Sequence, residues 1–335
     1  GYKSIAGEFV VAGTDYNLSG LFLPIQTAWD GKTYTQPTVD SEGVYLITSP
    51  DELMWFNQNA SLSSSAKLMA DITINEAGTL YPWVPVGVSS SKAYTGTFDG
   101  DGHTLSGLYI LDTSATNNIG LFGFVGTGGS VLNLKISDSS ITCNGKYVGA
   151  IVGDLKGHIE NCHTTETVSI SGKSYVGGIV GELDSDGRVN KCSNAAFVTG
   201  TEGYVGGIAG RVYSAFSDAL TNCYNSGIVT GLSNVGGIAG VHYMGGTVKN
   251  VYNIGDVIAQ NGSAGGIIGQ FRYGAISNAY TIGQVSADKA GVICGSLDFK
   301  NGNKTIESVY YLNGIRDLIV GNENGCFIHS GVAQG

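Results

Sequence analysis

Val176-Gly-Gly-Ile-Val-Gly181 is repeated 29 residues later as Val205-Gly-Gly-Ile-Ala-Gly210, and after 30 more residues as Val235-Gly-Gly-Ile-Ala-Gly240. Related sequences at spacings of 26 to 30 residues occupy residues 148–153, 264–269 and 290–295, with a more divergent copy at 118–123. A unit this short cannot bury its own apolar face, so neighbouring units must stack and share one core. The repeat therefore predicts a solenoid, a scaffold that by itself implies no chemistry.

Each unit is predicted to contain three short strands separated by polar corners. Within residues 176–204 the predicted strands are 176–183, 188–192 and 196–199, and Gly, Asp, Ser and Asn fill the intervening segments. Apolar residues lack helical spacing, and the unit is too short for a propeller blade. The predicted fold is all-β: a parallel β-helix with about 28–29 residues per coil. Its expected hand is right-handed, from the general preference of crossover connections.

Equivalent residues of successive units form columns that define the predicted core. One inward column consists of Leu121, Ile151, Ile179, Ile208, Ile238, Ile267 and Ile293. A second consists of Leu155, Leu183, Val212, His242, Phe271 and Leu297, and strand alternation places both inside. The same alternation places an outward, alternating-charge ladder at Asp154, Glu182, Arg211, Val241, Gln270 and Ser296. The glycines flanking the Ile column are expected to let the opposite wall approach, because no Cβ intervenes.

His242 and the cysteines are unusual members of the inward positions. His242 is expected to be a hydrogen-bonded interior histidine, with a catalytic or pH-sensing role as the alternative. Cys162, Cys192 and Cys223 share one inward slot, and Cys294 replaces a Val or Ile of other units. Together with Cys143 and Cys326 they are interpreted as reduced, buried thiols, and disulfide bridges are the alternative.

Composition narrows the class of protein. The chain of 335 residues has a net charge of −10, which argues against a nucleic-acid ligand. Its 42% hydrophobic content excludes disorder, and no window of about 18 apolar residues predicts a transmembrane segment. Because the chain starts at Gly1, it is interpreted as a mature chain whose targeting segment has been removed. No cofactor or metal is expected.

The repeat resembles that of GLUG-motif proteins, a family named for a Gly-Leu-hydrophobic-Gly signature that stands here as Gly120-Leu-Phe-Gly123. The resemblance extends to residues 45–56, 67–72, 83–87 and 96–108, and it covers about residues 29–312. It implies a bacterial extracellular or surface-anchored β-solenoid of the adhesin-like kind. Similar repeats lie beside the catalytic domain of IgA-cleaving metalloproteases, but the H-E-x-x-H pattern of zinc proteases is absent from this sequence.

The predicted organisation has four parts. Residues 1–43 form lead-in strands, and residues 44–112 form an N-terminal cap with the first irregular coils. Within that cap a short helix is predicted near residues 51–59, because Ser49-Pro50-Asp51-Glu52 places Pro and acidic residues at a helix start. Residues 113–312 form the GLUG-repeat β-helix, and residues 313–335 form a C-terminal cap.

Two tyrosine columns are the candidate ligand-binding residues. The first column is Tyr147, Tyr175 and Tyr204, and the second is Tyr224, Tyr252, Tyr280 and Tyr310. A row of outward rings could present a flat strip to a sugar or a protein. The alternative is that the stacked rings only stabilise the sheet through cross-strand contacts.

Other polar motifs are expected to be structural. Asn194, Asn225 and Asn253 occupy one corner and predict a turn ladder, because Asn tolerates left-handed backbone. Asp99-Gly-Asp-Gly102 resembles a calcium loop but lacks its further carboxylates and closing Glu.

The sequence thus predicts a non-enzymatic, monomeric, extracellular or cell-surface adhesin-like module. Its expected ligands are glycans or surface proteins. The alternatives are a polysaccharide-processing lyase or glycosidase and a purely structural stalk. Clustered carboxylates along a groove would favour the enzyme, but acidic residues are sparse in the repeats.

Overall fold

The computed structural model describes residues 27–76, 78, 80–298 and 304–311, together with the backbone of residues 333–334. The lead-in strands predicted before residue 27, Cys326 and most of the predicted C-terminal cap lie outside this part. Within it the chain is a parallel β-solenoid with one helix, so the predicted fold class is confirmed.

Every full coil passes through four sheets, which we name S1 to S4 in chain order. The strands of S1 are Lys146–Val148, Ser174–Gly177, Gly203–Gly206, Ser233–Gly236, Ser263–Gly265 and Lys289–Gly291. Those of S2 are Phe122–Val125, Val152–Leu155, Val180–Leu183, Ala209–Val212, Ala239–His242, Ile268–Phe271 and Cys294–Leu297. Those of S4 are Tyr109–Asp112, Ser140–Cys143, Ser169–Gly172, Phe197–Gly200, Val229–Gly231, Val257–Ala259 and Val285–Ser286.

Sheet S3 runs the length of the described chain. Its N-terminal strands are Thr38–Val39, Tyr45–Ile47, Ala66–Leu68, Ile72–Thr73, Thr97–Asp99 and Thr104–Ser106. In the following coils it has paired short strands at Ser130–Leu132 and Lys135–Ser137, His158–Glu160 and His163–Thr164, Arg188–Asn190 and Ser193–Asn194, and Leu220–Thr221 and Tyr224–Asn225. It continues as Thr247–Asn253, Gly274–Thr281 and Lys304–Tyr311, and Ala333–Gln334 pairs with the last of these.

The coil is therefore divided more finely than the three predicted strands. The segment predicted as one strand, residues 176–183, turns at Gly178-Ile179 and contributes to both S1 and S2. A Cβ on Gly178 would overlap the side-chain amide of Asn194, which reaches across from the S3–S4 corner. Glycine is thus required where the two walls of the coil meet.

The predicted register is confirmed. The amide of Ile179 donates to the carbonyl of Ile208 at 3.1 Å, and that of Ile208 donates to Ile238 at 2.9 Å. Every member of both predicted inward columns is buried. Burying one such aliphatic side chain stabilises a fold by about 1.5–3 kcal/mol, so the stacked columns form the main source of stability.

The glycines beside the Ile column have a different neighbour from the one predicted. A Cβ on Gly181 would overlap the backbone of Tyr147 and Val148 in the preceding coil, not the opposite wall. The approach across the interior occurs one position after the first Gly column, where Gly178, Gly207, Gly237 and Gly266 face the Asn194, Asn225, Asn253 and Thr281 side chains.

The asparagine ladder is structural, as predicted, but its geometry differs. Asn194, Asn225 and Asn253 are fully buried, and the side-chain Nδ2 of Asn225 donates to Asn253 Oδ1 at 2.8 Å and to the Gly227 carbonyl at 2.8 Å. None of the three has left-handed backbone. That conformation occurs instead at the exposed S3 bend, at Asn133, Asn161, Lys191, Asn222, Asn250, Asn278 and Ser308.

The N-terminal end carries the predicted helix, Pro50–Asn59. Ser49 Oγ accepts from the Glu52 amide, and the Glu52 carboxylate accepts from the Thr48 amide at 2.6 Å, which forms a reciprocal N-terminal cap. The helix buries Leu53, Met54 and Phe56 against the first coils. Strand Thr38–Val39 pairs antiparallel to Tyr45–Ile47, so it covers an edge that would otherwise be open to another chain.

The thiols and the interior histidine complete the core. Cys143, Cys162, Cys192, Cys223 and Cys294 are buried and reduced, which confirms the interpretation for the described cysteines. His242 is buried against the ring of Phe271, with centroids 5.4 Å apart. The prediction of a hydrogen-bonded histidine is wrong, because both ring nitrogens lack a hydrogen-bond partner among the described residues.

Candidate binding surfaces

The second tyrosine column forms an exposed strip on S3. Tyr224, Tyr252, Tyr280 and Tyr310 are paired in register on successive coils. The last three are 38%, 41% and 44% exposed, which is high for a large apolar ring, and Ile254 beside them is 44% exposed. We call these four tyrosines the tyrosine strip. Their placement in one exposed row agrees with the sequence analysis, and a binding role stays a prediction.

At its N-terminal end the strip presents ring edges more than ring faces. The rings of Tyr224 and Tyr252 stack with centroids 4.7 Å apart and planes 1° apart. These two rings therefore cover each other's facing sides, and the solvent meets their edges and hydroxyl groups. Burial, with a smaller contribution from Tyr224, raises the pKa of Tyr252 above its usual value, so the hydroxyl stays protonated and can donate.

The first tyrosine column lies at the end of S1 and is partly covered. Tyr147, Tyr175 and Tyr204 have left-handed backbone, with φ of 62°, 54° and 67°, which is costly for a bulky residue. Their rings stack at 5.2 and 5.0 Å. With this backbone the rings lie over the outer face of S2 and do not point directly away from the coil. Their position is shown by the electrostatic interactions of Tyr147 and Tyr175 with Glu182 and Arg211 of S2.

The charged column of S2 is consequently covered, not an exposed ladder as the sequence analysis expected. Glu182 is only 3% exposed, and its Oε1 accepts from Nε and Nη2 of Arg211. The Arg211 guanidinium also lies 5.1 Å from the Tyr175 ring centroid and 4.9 Å from that of Tyr213. A buried ion pair is tolerated when the remaining donors of its cation have partners. Here the aromatic rings are the partners of the Arg211 guanidinium.

Asp154 lies next to Glu182 in the same column and is less well compensated. Its Oδ1 is buried without a hydrogen-bond partner among the described residues. Burial, then the charges of Glu182 and Asp184, raise the pKa of Asp154 to about 7, against the opposing effect of Lys156 and Arg211. Burial also raises the pKa of Glu182. Asp154 therefore keeps its proton to a higher pH than a free carboxyl does.

A second wall faces the first tyrosine column across S2. It is formed by the residues that follow the second inward column, among them Tyr213, Tyr243 and Arg272. Between the two walls lies a cleft of about 420 Å³ lined by Tyr175, Tyr204, Arg211, Tyr213, Val241, Tyr243 and Arg272. We call it the S1–S2 cleft. Tyr175 and Tyr204 belong to a tyrosine column that the repeat predicts as a site, whereas Tyr213, Tyr243 and Arg272 join the site only through the fold.

The calcium-like loop is built as a turn. Asp99 Oδ1 accepts from the Asp101 amide at 2.9 Å and from Asn133 Nδ2 at 3.0 Å, and the Asp101 carboxylate pairs with Lys67. Among the described residues, no group of three or more His, Cys, Asp or Glu side chains is placed to hold a metal ion.

Comparisons with known proteins give partial matches. No family model matches the chain. It is 34% identical to halomucin of Haloquadratum walsbyi over 152 residues, which is 38% of this chain and 2% of halomucin. It is 37% identical over 81 residues to a protein of Evansella cellulosilytica provisionally named a Gly-rich membrane protein, covering 24% of this chain and 9% of the other. The chain thus spans less than a tenth of the length of either relative.

The fold is shared with a solved structure. It is a Bacteroides ovatus protein provisionally named an immunoglobulin A1 protease, with a TM-score of 0.55 and 22% identity. The match covers 90% of this chain and 84% of that one. At this identity the likeness supports the fold alone. Within the residues that the structure describes, no helix has the length and apolarity needed to cross a membrane.

Proposed function

We propose that this chain is a non-enzymatic binding module of an extracellular or surface-associated bacterial protein, with GLUG-type repeats as its scaffold. The GLUG-like signature at residues 120–123 supports the assignment to that family, together with the regular coils that follow it. The surface association draws on the membrane term in the name of the Evansella relative. The ligand is a glycan or a surface protein.

The observation that carries the proposal is the tyrosine strip. Tyr252, Tyr280 and Tyr310 keep large rings about 40% exposed on the outer face of S3, in one row on successive coils. Sheet stabilisation alone would be satisfied by smaller outward residues such as the Ser193 and His163 that precede Tyr224 in this column. Tyrosine adds an amphipathic contact surface with little side-chain entropy to lose on binding.

The test is binding of the intact chain to a glycan and mucin array and to a panel of host and bacterial surface proteins. Changing Tyr252 and Tyr280 together to Ala should weaken retention of the bound ligand at least tenfold, since aromatic anchors dominate such interfaces. The matched control changes Leu111 and Phe197 to Ala, because these are also exposed apolar residues, 53% and 47%, but lie on S4.

Two results would contradict the proposal. The first is an intact chain that retains no ligand from any panel. The second is a Tyr252/Tyr280 double variant that binds as tightly as the unchanged protein while melting at the same temperature. Turnover of a polysaccharide by the intact chain would instead favour the processing enzyme.

A further inference from the structure

We propose that the S1–S2 cleft binds an acidic saccharide, one whose sugar ring carries a carboxylate or sulfate group. The cleft lies on S2, so this site is separate from the tyrosine strip of S3 and does not depend on the function proposed for that strip.

The residues that line the cleft include two arginines and no acidic residue, although the chain is strongly acidic. Of its seven lining residues two are arginines, four are tyrosines and none is acidic, in a chain with a net charge of −10. Glu182, which pairs with Arg211, is 3% exposed and lies behind the guanidinium. Arg272 is held by Gln270 Oε1 at 3.1 Å and by Asp298 at 3.7 Å, through its Nε. Among the described residues these contacts engage Arg272 through Nε, so its two Nη groups can donate to a ligand.

The two guanidinium groups are held in place before any ligand arrives. Arg211 lies against the rings of Tyr175 and Tyr213, and Arg272 lies 4.6 Å from the Tyr243 ring centroid. A fixed, planar guanidinium loses little entropy when it donates two parallel hydrogen bonds to a carboxylate or sulfate. An anionic group is therefore the ligand feature that this cleft recognises best.

The tyrosines supply the surface that a sugar ring needs. The stack of the first column stops at Tyr204, because the next coil has Asn234 at the paired position. The face of Tyr204 that turns away from Tyr175 therefore lies at the step down to Asn234, within the cleft. A pyranose packs its C–H groups on such a face, and tyrosine hydroxyls bond its oxygens. The volume of about 420 Å³ is within the range of small-molecule sites.

The replacement of tyrosine by asparagine in this column suggests a variant that removes the Tyr204 ring and preserves the backbone. Asn occupies the same column at residues 118 and 234, with φ of 63° and 52°, so Tyr204→Asn should keep the left-handed backbone while removing the ring. Arg272→Gln keeps amide donors near Gln270 and removes the charge. Arg211 is left unchanged, because its removal would strand the buried Glu182 carboxylate.

The experiment measures binding of three acidic trisaccharides by calorimetry: trigalacturonate, sialyllactose and a sulfated heparin fragment. Each has a neutral counterpart: the methyl ester, lactose, and the desulfated, N-acetylated and carboxyl-reduced fragment. We expect at least one acidic member to bind at least tenfold more tightly than its counterpart, with an affinity that falls as salt is added. Arg272→Gln and Tyr204→Asn should each weaken that binding at least tenfold, and Phe197→Ala on S4 should not change it.

Any of the following results would overturn the proposal. All three acidic sugars bind no better than their neutral forms. Both cleft variants, with unchanged melting temperatures, bind as the original chain does. A triglutamate peptide binds more tightly than every sugar, which would make the cleft a site for acidic peptides.

Discussion

At the scale of single residues, the buried asparagines show how a polar side chain can hold a core together. Asn194, Asn225 and Asn253 each face the interior, where an unpaired amide would be costly. Each Nδ2 donates to the backbone carbonyl two residues on, and the side chains of successive coils bond one another at 2.7 and 2.8 Å. The ladder thus fixes both the corner within a coil and the alignment between coils.

Asn225 lies in the middle of that ladder, so its replacement removes hydrogen bonds to the coils on both sides. Replacing Asn225 with Ala removes two donated bonds and leaves Asn194 Nδ2 with one of its two acceptors. We expect a loss of about 2–4 kcal/mol in the free energy of unfolding, measured by urea titration. The control is Asn222→Gly, in the exposed ladder of the S3 bend, where Gly keeps the φ of 56° and the cost should stay below about 0.5 kcal/mol. Equal costs at the two sites would show that burial of the ladder does not matter.

At the scale of elements, the meeting of S1 and S2 depends on residues without a Cβ. A Cβ on Gly240 would lie 2.5 Å from the backbone nitrogen of Val205 and 2.7 Å from the carbonyl oxygen of Gly210. Backbone atoms of a packed sheet cannot move aside cheaply, so S1 of one coil and S2 of the next can approach only over glycine.

That close contact predicts opposite outcomes for two glycines five residues apart. Gly240→Ala should destabilise the chain by about 2–4 kcal/mol, because the added methyl group overlaps backbone on one side. Gly245→Ala should leave stability unchanged or raise it by up to about 1 kcal/mol, since it is exposed, has open space around its Cβ and no positive φ. Melting temperatures of the two variants decide the point, and a neutral Gly240→Ala would mean that the sheets can separate.

The sequence predicts the stacking well because the repeat encodes it directly. Ile179 and Ile208 lie one period apart, and an apolar residue at every equivalent position leaves only one register that buries them all. The turn at Gly178-Ile179 could not be predicted, because glycine is compatible with a strand as well as with a bend. Only the contact with Asn194 across the coil decides between them.

The candidate surfaces were predicted in part, for a related reason. The columns of Tyr224 and Tyr147 follow from the period, but ring orientation depends on backbone φ, which the pattern does not give. Left-handed φ at Tyr175 carries its ring over S2, so Glu182 is covered where strand alternation predicted exposure. The S1–S2 cleft depends on the angle at which S1 meets S2. The repeat pattern does not give that angle, so it cannot predict that Tyr204 and Arg272 line the same cleft.

At the scale of the whole molecule, stacked coils unfold as coupled neighbours, so a charge in one coil affects the stability of those that pack on it. Two buried groups of S2 titrate in the same pH range with opposite effects. Asp154 has its pKa raised to about 7, and desolvation lowers the pKa of His242 to about 4. Between about pH 4 and 7 the folded chain holds a proton on Asp154 that the unfolded chain releases. Over nearly the same range the unfolded chain protonates His242 and the folded chain does not.

The signs follow from which state binds more protons. The stabilisation from Asp154 is complete below pH 4 and is lost as the pH rises through 7. His242 contributes the reverse, since stability is lost as the pH falls from about 6.5 towards 4. The two trends oppose each other, and the unchanged chain should therefore show a weaker pH dependence of stability than either titration alone would give.

Removing each group separately should reveal the opposing trends. Asp154→Asn abolishes one titration, so the free energy of unfolding of this variant should rise between pH 4 and 7, driven by His242 and opposed by the raised pKa of Glu182. His242→Leu matches its column neighbours, removes two unpaired ring nitrogens, and should make stability fall over the same range, with Asp154 and Glu182 as the cause. Urea titrations at pH 4, 5.5 and 7 measure both slopes. If the two variants keep the same slope as the unchanged chain, the buried positions of these groups do not govern its response to pH.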